Sequence, residues 1–155
     1  IVAAFIVYPK VQASQRSQAE SNNIATIQAG IKSLYSSTSN YTGLTTSVAI
    51  QAKIFPDNML NGSTTLASSS FRGDVVVASE NSGPTGALGS SFIITYYGVP
   101  PTECTKIMTA VAGNFYKAQV EAVIVKPADG ILDVAETTRA CSLNRKATTL
   151  IFTSI

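Results

Sequence analysis

The sequence contains no histidine and no tryptophan, and only two cysteines in 155 residues. Without imidazole neither a Ser-His-Asp nor a Cys-His nucleophile can be built. No lysine stands three residues after a serine, so the Ser-x-x-Lys arrangement is absent too. Two thiols with no imidazole cannot complete the usual four-ligand structural zinc site. A Gly-x-Ser-x-Gly elbow, a phosphate loop and a dinucleotide fingerprint are also missing. Charge is scarce: 13% of residues carry one, against roughly a quarter in an average soluble protein. The net charge is +2 and the eleven Lys and Arg are scattered. Their one tight pair, Arg145 and Lys146, is too small to track a phosphate backbone, so no nucleic-acid partner is expected. The same absences predict no catalytic residue, no metal and no cofactor.

What is present is 45% apolar residues and a polar share rich in Ser and Thr. Hydroxyls desolvate more cheaply than ions, which suits a surface that packs on copies of itself. A secreted β-rich domain has the same composition. An even cysteine count in a His-free chain favours one disulfide, Cys104 with Cys141, in an oxidising compartment. In the chain-entropy model it contributes about 3.5 to 4 kcal/mol. The alternative is a pair of unpaired buried thiols in a cytosolic protein.

The run Ile1 to Tyr8 is uniformly apolar and stops at Pro9-Lys10. It is shorter than the roughly twenty residues a membrane span needs, and it lacks the basic leading region and cleavage site of a signal peptide. It reads as the tail of a longer apolar segment, with a buried strand as the alternative. Ile24, Ile27, Ile31 and Leu34 recur at 3-4-3 spacing and predict one helix face packed on a sheet. Between Gln12 and Asn23 the sequence is polar, so that part of the helix is expected to project from the domain. The expected division is a helix over 1–36, roughly 50 Å long at 1.5 Å per residue, and a globular head over 37–155.

Thr46 to Lys53 reads as a short helix. Strand-like runs follow at Phe71–Ala78, Ser91–Tyr97, Val120–Lys126, Ile131–Val134 and Thr148–Thr153. Thr102 to Asn114 reads as a helix, with Ile107, Val111 and Phe115 spaced by four. The predicted class is α+β: a long N-terminal helix packed on a largely antiparallel sheet, with an extra helix in the cysteine-bounded region 104–141. Asp129, Asp133 and Glu136 are the only carboxylate group that invites acid/base chemistry. A chain with twelve aromatics and no Trp has little to line a sugar cleft, and these acids are read as surface charge. Calcium at Asp129-Gly130 lacks the dense oxygen spacing expected. Asn40-Tyr-Thr and Asn61-Gly-Ser match the N-glycosylation pattern without further support.

An apolar remnant ending in Ile-Val-Tyr-Pro-Lys, a long half-polar helix and a C-terminal cysteine pair resemble type IV pilins. The wide cysteine spacing, the helix beginning Thr102-Glu103-Cys104 and the closing Thr-Thr-Leu-Ile-Phe-Thr-Ser strand are similar to the b-type subclass. Within it they resemble the PilS-type major pilins of Salmonella and related conjugative plasmids. The resemblance implies a structural subunit, not an enzyme, that polymerises into thin surface filaments for adhesion or cell–cell contact. It also implies that Cys104 and Cys141 are disulfide-bonded and that Ile1, Val2, Phe5, Ile6, Val7 and Pro9 belong to the assembly helix. Partners implied are other copies in a helical filament, the inner membrane before assembly through a missing N-terminal segment, and a host-cell or recipient-cell receptor. The alternatives are a minor pilin or pseudopilin, and a secreted binding module with an anchor.

Overall fold

The computed structural model describes residues 2–60, 62–63, 65–143 and 146–155, with side chains from residue 15 onward. Helix α1 spans Val2–Leu34 and runs on through Pro9. Helix α2, Thr46–Gln51, is capped by Thr45, whose hydroxyl accepts from the Val48 amide. A 3-10 turn follows at Asp57–Met59. Strands β1 (Val75–Glu80) and β2 (Ser91–Val99) form a hairpin. Helix α3 (Pro101–Val111) opens on a proline, which suits a first turn whose amides need no internal partner. A 3-10 turn, Ala112–Asn114, leads into β3 (Lys117–Val120) and β4 (Val123–Lys126). Helix α4 (Val134–Leu143) and β5 (Thr148–Ser154) complete the chain.

The five strands form one antiparallel sheet in the order β1-β2-β5-β3-β4. Strand β5 therefore lies in the middle, with Ile94 opposite Phe152 on one side and Ala118 opposite Phe152 on the other. Alternate residues of β1, β2, β3 and β5 share one face, as a two-residue period requires: Val75 and Val77, Phe92, Ile94 and Tyr96, Ala118 and Val120, Leu150 and Phe152 are all buried. Ile24, Ile27 and Ile31 of α1 are fully buried above them. Gly30 permits close approach on the helix flank, since a Cβ there would lie 3.0 Å from Ile54. At the start of the hairpin a Cβ on Gly73 would lie 1.8 Å from the Tyr97 carbonyl oxygen, so only glycine fits.

Several expectations are corrected. Ile131–Val134 is not a strand: it leads into α4, which the sequence reading missed. Asp133 starts that helix, its Oδ1 accepting from the Glu136 amide at 3.0 Å and its carbonyl from the Thr137 amide at 2.9 Å. The signal was Asp-x-x-Glu, a capping box. Val120–Lys126 is not one strand: it holds the end of β3, which starts at Lys117, a tight turn at Glu121 with a left-handed φ of 53°, and β4. The run from Phe71 becomes strand only at Val75, because Arg72 turns the chain with a φ of 65°. Leu34 does not pack on the sheet and is 42% exposed. The helix has reached its end there, and the half-buried Tyr35 takes the core-side space, 5.6 Å from the Tyr41 ring.

Candidate assembly surface

The disulfide pairs Cys104 of α3 with Cys141 of α4, with Cα atoms 5.8 Å apart and both residues buried. It encloses most of α3, the strands β3 and β4, and most of α4. The enclosed segment is thus a lobe inserted between the neighbouring strands β2 and β5. Four acids lie on its outside. Glu121 Oε1 accepts from the Thr149 amide at 2.9 Å, Asp133 caps α4, and Glu136 pairs with Arg139 across one turn. Arg139 holds the Glu136 carboxyl below its usual range, through a hydrogen bond and its charge. Asp129 stands at an exposed turn. The three carboxylates weighed for acid/base chemistry thus have separate surroundings. Among the described residues, no group of three or more acid or thiol side chains could hold a metal.

Helix α1 is the other functional element. Ile1 lies outside the described residues, as do the side chains of Val2, Phe5, Ile6, Val7 and Pro9, so the expected assembly contacts are not seen. The Asn61 turn and sequon and the Arg145 half of the basic pair also fall outside them. Among the described residues, no helix is long and apolar enough to cross a membrane. The described contacts of α1 with the head begin at Arg16, whose guanidinium meets Glu103 of α3 at 2.7 Å and lies over the Phe71 ring. The polar stretch was expected to project, yet Ser17, Glu20, Ser21 and Asn23 are buried. Positions 17, 20, 21, 24, 27, 28 and 31 form one face at 3-4 spacing, so the core-facing stripe continues in polar residues.

Glu20 is the centre of that polar part and is 2% exposed. Its Oε1 accepts from the Ser70 amide at 3.0 Å, the Ser70 hydroxyl at 2.9 Å and the Asn23 amide at 3.5 Å. Neither Glu20 Oε2 nor the Tyr96 hydroxyl has a partner with hydrogen-bond geometry. Burial raises the Tyr96 pKa well above that of a free phenol, and the nearby Glu20 charge raises it further. Nearly two turns before the end of α1, Gln28 donates to the Asn114 carbonyl at 2.9 Å and the Ser154 hydroxyl at 3.1 Å. These bonds fix α1 along its length to the loop before β1, to α3 and to β5. The sequence offered no sign of their partners, which lie 50 or more residues away.

The family described as PilS N terminal matches residues 14–155. Among solved structures the chain is similar to the type IV b pilin from Salmonella typhi, at 20% identity and a TM-score of 0.68, covering 87% of this chain and 97% of that one. It is also similar to TcpA, a type IV pilin from Vibrio cholerae El Tor biotype, at 16% identity and a TM-score of 0.60, covering 91% and 99%. No curated protein sequence matches it. At these identities the structural likeness concerns the fold, in which the long helix lies on the sheet. With the family matched over nearly its whole length, the chain belongs to the PilS N-terminal family and has the α+β fold of type IV b pilins.

Proposed function

We propose that this protein is the major subunit of a type IVb pilus, a structural and not a catalytic protein. Copies polymerise into thin filaments on the cell surface after residence in the inner membrane, and the filaments mediate adhesion or contact with a host or recipient cell. The division of labour follows the helix: residues 1–36 supply anchor and assembly element, and 37–155 form the head.

The observation that carries this reading is the reach of α1. Its 33 residues extend over roughly 50 Å, while β2, the longest strand of the sheet it packs on, has nine residues and extends over roughly 30 Å. The helix begins with a uniformly apolar run from Val2 to Tyr8, and such a surface gains most by burial against other helices or lipid. The test is expression of the full-length protein in a cell that carries a pilus assembly machinery. Negative-stain electron microscopy should show thin fibres labelled by antibody to the head. A folded protein that stays in the membrane as a monomer under those conditions overturns the proposal.

A further inference from the structure

The buried residues of β1, β2, β3 and β5 belong to one core with Ile24, Ile27 and Ile31 of α1. The residues that alternate with them lie on the opposite face of the sheet, away from that core. The strand registers align five of these in a single row: Val76 opposite Thr95, Thr95 opposite Ile151, Ile151 opposite Gln119, and Gln119 opposite Ile124. The row crosses all five strands and carries no charge. At its two ends Val76 is 36% exposed and Ile124 52%.

The charges on β3 are placed symmetrically about this row. Lys117 stands two residues before Gln119, and Glu121 two residues after it. Lys117 makes no side-chain hydrogen bond or ion pair among the described residues. Glu121 is exposed; its Oε1 accepts from the Thr149 amide, and its Oε2 has no partner among the described residues. A second copy turned over about a two-fold axis along the row therefore meets the first with Lys117 opposite Glu121 and Glu121 opposite Lys117. The strands of the two copies then run antiparallel, within the aligned class of sheet-on-sheet packing. The remaining acids of this face, Asp74 and Glu80, lie at its β1 margin, about 14 Å from β3. A surface whose charges match their own inverted copy fits an isologous contact with a second molecule of the same chain.

We infer that this outer face of the sheet joins copies in neighbouring filaments, with Lys117 of each copy on Glu121 of the other. This rests on the pilus reading: copies whose α1 helices pack together inside a filament turn the opposite face of the sheet outward. Each copy offers a patch of about 20 by 20 Å, so a pair buries roughly 800 Å² in total. That is below the roughly 1,200 Å² at which standard interfaces begin. The contact is thus too small to hold two free molecules together and acts where many copies are repeated along a fibre.

The experiment compares filaments assembled in cells from full-length protein, either parent or carrying Lys117→Glu, Glu121→Lys or both, by negative-stain electron microscopy at low salt. Parent filaments should lie side by side in bundles and disperse as salt is raised. Each single variant brings like charges together and should lower the bundled fraction about tenfold or more, with the yield of filaments unchanged. The double variant should bundle again. So should a mixture of the two single-variant filaments, because on β3 one presents only acids and the other only ammonium groups. A face that grips a lipid, a sugar or a different protein does not give that rescue. Where a variant melts early or yields no filaments, Gln119→Cys replaces it. Its thiol stands on the axis, so a bis-maleimide should link copies into dimers in bundled filaments and not in dispersed ones. Parent filaments that stay single, single variants that bundle like the parent, a double variant or mixture that stays dispersed, or the absence of linked dimers overturns this contact alone. A parent protein that makes no filaments overturns the pilus reading together with it.

Discussion

The Cys104–Cys141 bond allows a quantitative prediction. The two residues are 37 apart in sequence, and in the chain-entropy model a loop of that size destabilises the unfolded state by about 4 kcal/mol. Replacing both cysteines by alanine avoids leaving an unsatisfied hydroxyl in a buried site. It also removes two buried sulfur atoms, whose lost burial adds up to about 1 kcal/mol each. With about 2 to 4 °C lost per kcal/mol in a protein of this size, the melting temperature should fall by about 8 °C or more. In urea the midpoint should drop by about 2 M. Because the bond acts mainly on the unfolded chain, the m-value of the variant should rise as that chain expands. Unfolding followed by circular dichroism, with and without reductant, provides both numbers. A variant with a midpoint within about 0.3 M of the parent would refute the reasoning, as would a large loss of stability in the variant relative to parent protein whose disulfide had first been reduced.

Three further predictions concern α1 and its seat. Glu20→Ala strands the Ser70 amide and hydroxyl and should cost about 1 to 3 kcal/mol in urea unfolding. Glu20→Gln keeps an acceptor for Ser70 and can offer a donor to Tyr96, so it should retain most of that stability. Ile27→Ala should cost about 2 to 5 kcal/mol, as a fully buried residue. Leu34→Ala should stay within about 0.5 kcal/mol, in keeping with its exposure; equal losses at the two positions would contradict the placement of α1. Tyr96 keeps its proton in the folded state at a pH where the unfolded chain has released it. Its contribution is therefore fully present below the ordinary phenol value of about 10 and is lost as pH rises above it. Tyr96→Phe should flatten that alkaline decline. It should also be neutral or stabilising near pH 7, because the hydroxyl it removes has no hydrogen-bond partner.

Local periodicity made part of this fold legible. Ile24, Ile27 and Ile31 stand at helical spacing, so their buried face could be read directly, and Ser91–Tyr97 and Thr148–Thr153 could be read as strands. The cysteine pair was legible from count and context. The seat of α1 was not, because the stripe that faces the sheet changes from isoleucine to Ser, Glu and Asn below Ile24. Polar residues on a core-facing register look like solvent-facing ones until their partners are known. For Glu20 the distant partner is Ser70, in a segment no local pattern connects to it. Helix α4 was overlooked for a different reason. Ile131, Leu132 and Val134 look like a strand, and the capping residue Asp133 lies among them, so the apolar run hid the start signal.

The position of β5 has a consequence for how the molecule forms. Its partners are β2 and β3, so the centre of the sheet stays open until residues 148–154 arrive. Neither the β1–β2 hairpin nor the β3–β4 hairpin has a paired inner edge before then. Pairings of such wide sequence separation close slowly, since loop entropy is lost before contacts are gained. A chain delivered from its N-terminus onward would hold two incomplete half-sheets with unpaired edges. The head should acquire its protection against proteolysis in one late step, when the last strand slots between them.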